Sequence, residues 1–472
     1  MSVQEHKFVS LEKDFYTIQK PDLPKDLSLK LLNRDHAEEL GLSNHDISAI
    51  KQFVIKNDYN QFNSFAMVYA GHQFGQYVNQ LGDGRSIMIG EVGSGSTSYD
   101  LQLKGSGKTP YSRFGDGRAV LRSTIREYLG SEIMHSLGVP TTRALMLFGS
   151  TDKVQREEQE TAAVLLRSSK SHIRFGHFEF FHYQNKHDLV KSLADFCIDN
   201  YAIFDKGPKD RYKKFFLVIV INTAKMIAKW QSIGFCHGVL NTDNFNIFGE
   251  TFDYGPYAFI ENYNPDYICN LSDHEGRYSF SNQPYIGLWN CSALGYALSS
   301  LISESEQKEI LKSYESVFKK ELLSIYRKKL GLKEIKSVDE RLIQELLDIA
   351  HQHSIDYTIL FRSIVALLKN KKNKLLTNKF FQSWVEKYMK RHELEKSTIE
   401  ERVSLMKMNN PYITPKNFQI SKLIEVAKKG NFEPLEKFLK AYQDPYIENS
   451  ETKKINQQPA INERNIRTSC SS

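Results

Sequence analysis

The chain lacks a Cys-x-x-Cys pair, an apolar run of membrane-spanning length, and any cluster of basic residues interleaved with aromatics. Its five cysteines, Cys197, Cys236, Cys269, Cys291 and Cys470, stand singly. That spacing argues against a structural zinc site, and an odd count without a secretion signal argues against a disulfide framework. No apolar stretch approaches the roughly 20 residues needed to cross a bilayer. Residues 1–6 hold no signal-peptide core, and their mixed charge does not suit a transit peptide. The expectation is a cytoplasmic protein without a membrane partner. The net charge is +7, but Lys and Glu interleave through residues 305–400, so nucleic acid is not an expected partner. With 472 residues, 40% hydrophobic and 25% charged, the chain has the length and composition for two lobes plus an extension. It contains no internal repeat, and nothing in it sets an oligomeric state.

What is present centres on residues 237–255: His237-Gly238-Val239-Leu240-Asn241-Thr242-Asp243-Asn244, then Asp253-Tyr254-Gly255. A protein kinase carries His-Arg-Asp, an Asn five residues after that Asp, and then a metal-binding Asp-Phe-Gly. The order here is the same, with one substitution that matters. The position of the kinase base is Val239, which cannot accept a proton. Asp243 is the available substitute. Upstream, the apolar segment from Phe215 continues through Met226, Ile227, Trp230 and Ile233 at helical spacing and stops at Gly234. It predicts a buried helix feeding a polar loop, followed by a short strand over Phe245–Phe248.

The first half supplies the other kinase parts. Gln80 to Arg85 reads as a glycine turn entering a strand over Ser86–Val92. Gly82 and Gly84 let backbone approach phosphate closely. Asp100 to Lys104 alternates like a half-buried strand. Leu121, Ile125, Leu129, Ile133 and Leu137 mark a helix closed by Gly138 and Pro140. Glu127 lies off that stripe, placed to reach Lys104. Arg167 and Arg174 flank a Ser-rich segment, and two arginines can hold a polyphosphate bidentately.

These stretches resemble selenoprotein O, a kinase-fold family that transfers AMP rather than phosphate from ATP to proteins. The matching segments include Tyr69-Ala70-Gly71-His72-Gln73-Phe74-Gly75, Gln80 to Arg85, Leu103 to Arg118, Pro140 to Ala144, Ser171 to Glu179, His237 to Asn244, Asp253 to Pro256 and Ser272 to Pro284. The resemblance implies an α+β, two-lobed protein-kinase-like fold with a helical C-terminal extension. It implies ATP contacts from Gly82, Gly84, Arg85, Lys104, Asp116, Gly117, Arg167, Arg174 and Asp253, with Glu127 as the ion-pair partner of Lys104. It implies Asp243 as proton acceptor and Asn244 and Asp253 as ligands of Mg²⁺, with Mn²⁺ left open. The nucleotide would bind flipped relative to a kinase, presenting its α-phosphate to hydroxyl groups of substrate proteins. It further implies a redox-sensitive disulfide between Cys269 and Cys470. On the sequence alone Cys470 reads as a free, exposed thiol. Ser168-Ser169-Lys170 and Tyr77-Val78-Asn79 depart from the family's usual residues and leave the shape of the pocket rim open.

Three alternatives stay in play. A true protein kinase could use Asp243 as its base, and an inactive kinase-fold scaffold could bind nucleotide without transfer. Gly105-Ser106-Gly107-Lys108-Thr109 looks like the end of a P-loop, but Gln102 stands where that loop needs glycine and Pro110 where its helix should be under way. The expected organisation is an N-terminal flank over 1–60, an N-lobe over 61–165, a C-lobe over 166–300, a helical extension over 301–445 and a flexible tail over 446–472.

Overall fold

The structure, a computed structural model, describes residues 3–56, 63–93, 98–205, 207–369, 373–456, 463 and 466–469. It is of mixed α+β type. An eight-stranded sheet runs in the order Tyr16–Ile18, Phe65–Met67, Ser86–Val92, Tyr99–Lys104, Gln159–Ser169, Arg143–Gln155, Ser28–Leu32, with Ala119–Val120 also on Gln159–Ser169. Every pairing is antiparallel. The two strands expected at Ser86–Val92 and Asp100–Lys104 form and pair with each other. The register sets Arg167 opposite Gln102 and Leu165 opposite Lys104. Because side chains alternate across a pleat, Gln102, Lys104 and Arg167 share one face.

That face receives the helix Leu121–Ser136, whose apolar stripe is buried as the sequence predicts. It ends where Gly138 takes a positive φ of 76°. Gly130 has a packing role. A Cβ there would lie 2.7 Å from the Tyr254 ring and 2.9 Å from the Tyr257 ring. Only glycine lets the Asp-Tyr-Gly segment lie this close to the helix.

The helix Arg211–Ile233 is buried along its apolar face and capped by Gly234 in the left-handed region. The expected strand over Phe245–Phe248 does not form. Phe245 and Asn246 make single bridges to Thr251 and Arg174. The Asn246 side chain accepts from the Phe248 and Glu250 amides and folds the segment into a turn instead.

Beyond residue 300 the described chain is helical. Leu342, Leu346, Leu360, Ile364 and Trp384 share a core with Cys236, Ile260 and Cys269, so these helices complete the core beneath the His237 loop. The helices Asn417–Lys428 and Glu433–Ala441 return to the helix Leu121–Ser136, and the Tyr446 hydroxyl donates to Leu137 O at 3.0 Å. The last segments therefore buttress the helix that carries Glu127. Among the described residues no helix is long and apolar enough to cross a membrane.

Lys329 joins two parts of this core. Its Nζ donates to Ser232 O at 2.8 Å and lies 4.2 Å from the Phe361 ring centroid. Burial pushes its pKa down to about 7. Between that value and the ordinary lysine range, the unfolded chain holds a proton that the fold has released. This group's contribution to stability therefore rises with pH through that window, by up to roughly 1.4 kcal/mol per pH unit. We expect Lys329→Met to abolish this rise. Urea unfolding of both proteins at pH 7 and 9 measures it. Equal pH responses in the two would mean the fold does not displace the Lys329 proton.

Candidate active site

Four segments distant in sequence meet at one cluster of charge. Lys104 Nζ lies 2.6 Å from Glu127 Oε2 and 2.8 Å from Asp253 Oδ1. Arg167 Nη1 lies 2.7 Å from Glu127 Oε1 and 2.6 Å from Asp253 Oδ1. Arg174 Nη1 reaches Asp253 Oδ2 at 2.5 Å and also donates to Asp243 O at 2.7 Å. Three cations thus share two carboxylates, Glu127 and Asp253. Such a buried excess of positive charge attracts polyphosphate. Burial works against the Asp253 charge, yet Arg174, Lys104 and Arg167 together hold its carboxyl well below the usual range. Both guanidinium groups lie against the Phe252 ring, at 4.6 and 4.2 Å.

Above the cluster, Gly82 takes a φ of 80° and the Asp83 carboxylate accepts from the Met67 amide at 3.1 Å. Thr109 Oγ1 donates to Asp83 O at 2.8 Å and Ser112 Oγ to Gly84 O at 2.5 Å. These bonds fasten the 105–118 loop to the glycine turn. No helix follows Thr109 until Leu121, which disposes of the P-loop reading. Asp116 is gripped by both Arg156 terminal nitrogens, at 2.7 and 2.9 Å.

Below, the His237 ring is buried with Nε2 2.8 Å from Phe252 O, which ties the loop to the Asp-Tyr-Gly segment. Asp243 sits in a single 3-10 turn, Thr242–Asn244. Its carboxyl is 8% exposed as a residue, and burial, opposed by Arg174, pushes it up to about 7. The whole encloses a cleft of about 780 Å³.

A family model described as protein adenylyltransferase SelO matches residues 2–443. The chain belongs to that family. Relatives agree over nearly the full length. The protein nucleotidyltransferase YdiU of Myxococcus xanthus (strain DK1622) is 43% identical over 416 residues, spanning 86% of this chain and 85% of its own. The protein of the same name from Vibrio atlanticus (strain LGP32) is 40% identical over 479 residues, 99% of this chain and 98% of its own.

Within this SelO-family cleft, Gly82, Gly84, Arg85, Lys104, Asp116, Gly117, Glu127, Arg174, Asp243, Asn244 and Asp253 all line the wall. Arg167 is the exception. It lies behind Asp253, 1% exposed, with Nε and Nη2 both donating to Gln102 Oε1. Cys269 lies apart from the cleft as a buried free thiol that donates to Cys236 O at 3.4 Å. Burial pushes its pKa well up, which disfavours the reactive thiolate. Cys470 lies outside the described residues, although Thr468 pairs with the backbone of Cys269 and Leu271.

Sequence reading missed Gln102, Arg156 and Gln73. Gln102 is a strand residue whose partner is visible only through register. Arg156 sits in a polar hairpin that reads as ordinary surface.

The residues present fit a divalent cation beside phosphate. Asn244 commits Nδ2 to Val239 O at 3.0 Å, which leaves its Oδ1 to ligate. Asp253 supplies carboxylate oxygen, and Mg²⁺ takes few protein oxygens when phosphates complete its shell. A second buried grouping, His6, Glu91 and Asp100, has liganding atoms within 4.8 Å of one another. There His6 Nδ1 accepts from the Phe8 amide, so Nε2 carries the proton 2.8 Å from Asp100 Oδ1. A protonated nitrogen does not ligate a metal.

The cluster makes a direct prediction. Lys104→Met should weaken productive ATP binding strongly, and Glu127→Ala less so. Glu127→Ala should also lower the melting temperature, since it strips a partner from two buried cations, a change that costs about 3–5 kcal/mol. Turnover at limiting ATP and a thermal melt test both. Wild-type turnover in both variants would remove Lys104 from the nucleotide site.

Proposed function

We propose that this protein adenylyltransferase takes ATP into the cleft and attaches AMP to Ser, Thr or Tyr hydroxyls of other proteins, with Asp243 as base. The observation that carries the reading is the position of Asp243. It is the cleft-lining carboxylate of the loop in which Val239 occupies the kinase base position, and the adjoining cation cluster suits a triphosphate. ATP is the substrate the family implies, and proteins are its acceptors.

The chemistry balances simply. The acceptor O–H proton passes to Asp243, the acceptor oxygen bonds the α-phosphorus, and the bond from that phosphorus to the bridging oxygen breaks. Pyrophosphate leaves. Lys104 and Arg174 turn from Asp253 to phosphate oxygens, and Glu127 keeps Lys104 aligned. Arg167 supports Glu127 and Asp253 from behind. Gly82, Gly84 and Arg85 cover the nucleotide, with Asp116 and Gly117 contacting it farther along the cleft. Asn244 and Asp253 would hold Mg²⁺, which neutralises triphosphate charge when bound. The geometry fits a two-lobed kinase-like arrangement, with an N-lobe over 61–165 above the nucleotide, its sheet joined by the strands Tyr16–Ile18 and Ser28–Leu32 of the 1–60 flank, 166–300 below, and 301–445 as a helical brace.

Incubation with ATP labelled separately at the α and γ positions, followed by intact mass, tests the reading. We expect α label and a gain of one AMP on the acceptor. Transfer of γ label would identify a kinase instead, and nucleotide binding without transfer a scaffold.

A further inference from the structure

The segment Gly71 to Gly75 is part of a small hairpin, Gly71–Gln73 paired with Gln76–Val78, and it has no part in nucleotide binding as described above. Its anchoring is unusually dense. The His72 amide donates to Thr242 Oγ1 at 2.7 Å, and Thr242 Oγ1 donates to Glu179 at 2.8 Å. The His72 ring closes the loop with Nδ1 3.0 Å from the other Glu179 oxygen. The Phe74 amide donates to the Tyr278 hydroxyl at 2.8 Å, which donates in turn to Asn241 Oδ1 at 2.7 Å. The hairpin is therefore bolted to Asn241 and Thr242, the two residues just before Asp243.

Two of its residues grip the Asp243 carboxylate itself. A Cβ at Gly71 would lie 3.0 Å from both Cβ and Oδ1 of Asp243, close enough to press that side chain out of its place. Oδ1, on this side, is buried without a hydrogen-bond partner. Gln73 Nε2 lies 3.4 Å from Oδ2, and Gln73, Phe74, Val239 and Asn241 line the cleft beside it. Gly71 seals one oxygen, and Gln73 borders the other.

We propose that this hairpin is the acceptor-side wall of the active site and that Gln73 is a positioning residue, aiming Asp243 Oδ2 at the incoming hydroxyl. The proposal rests on Asp243 being the base. The choice of an amide has a physical reason. A Lys or Arg at position 73 would fix the carboxylate equally well but would stabilise its charge and weaken it as a base. A neutral N–H donor also favours the charged form, but by less than a full positive charge would, so it orients the carboxylate at a smaller loss. Val239 beside it is apolar and offers the hydroxyl no competing acceptor.

The test compares Gln73→Met, Gln73→His, Gly71→Ala and Asp243→Ala with wild type in the full-length chain. Casein serves as a hydroxyl-rich acceptor, and kcat, KM for ATP and melting temperature are read at pH 8. We expect Gln73→Met to lower kcat about 10-fold with KM for ATP within about twofold, the split of a group that acts on the transition state. Gln73→His, whose neutral ring can present N–H at similar reach, should recover most of that loss. Gly71→Ala should lower kcat by about 100-fold by displacing the carboxylate. Wild-type kcat in Gln73→Met and Gly71→Ala, with Asp243→Ala inactive, would overturn the inference alone. A loss in Gln73→Met that the histidine does not recover, or that comes with a raised KM and a lower melting temperature, would also overturn it. Full activity in Asp243→Ala would overturn the base assignment instead.

Discussion

Asp253→Ala is expected to reduce AMP transfer to background. Asp253 contributes two things to the site. It is the proposed carboxylate ligand of Mg²⁺, and it is the shared partner of Lys104, Arg167 and Arg174. Without it the triphosphate loses the neutralising ion that phosphoryl chemistry depends on. Lys104 and Arg167 are then left with Glu127, and Arg174 with the Asp243 backbone oxygen, so the fold should also lose about 3–5 kcal/mol. The two effects separate by measurement. Asp253→Asn keeps the side-chain shape and should recover part of the melting temperature while remaining inactive. Metal-free ATP binding should persist in both variants, because the positive cluster remains, while the gain in affinity on adding Mg²⁺ should vanish. Calorimetry with and without the ion reads this directly. An Asp253→Ala protein that still transfers AMP in a Mg²⁺-dependent way would place the metal elsewhere.

Asp243→Ala is expected to slow transfer by roughly 10²–10⁴-fold, the usual range for loss of a general base. ATP binding should persist, since the Asp243 side chain is not among the carboxylates paired with the cation cluster. Only its backbone oxygen engages Arg174. Intact-mass time courses at saturating ATP measure the rate, and a calorimetric titration measures the affinity. Unchanged transfer would end its candidacy as base.

The motif order from Gly82 through Asp253 was legible because each motif is local. A glycine turn, an alternating strand with a terminal lysine, a stripe of Leu and Ile closed by Gly138, and a polar loop after a buried helix are all set by nearby residues. Helical and strand periods act over a few positions, so the sequence declares them. The same locality explains the failed strand at Phe245–Phe248. There the Asn246 side chain captured two backbone amides and made a turn.

By itself, then, the sequence determined the α+β class, the family, the Lys104 strand, the Glu127 helix and the Asp243 to Asp253 loop. Only the tertiary structure decided who pairs with whom. It placed Arg167 behind Asp253 rather than on the cleft wall, brought Arg156 onto Asp116 across a hairpin, and laid Gly71 and Gln73 against the Asp243 carboxylate. Those pairings join residues 40 positions apart for Arg156 and Asp116 and 170 apart for Gln73 and Asp243. No local propensity encodes them. They follow from strand register, from helices packed on one sheet face, and from the need of each buried charge or polar group for a partner.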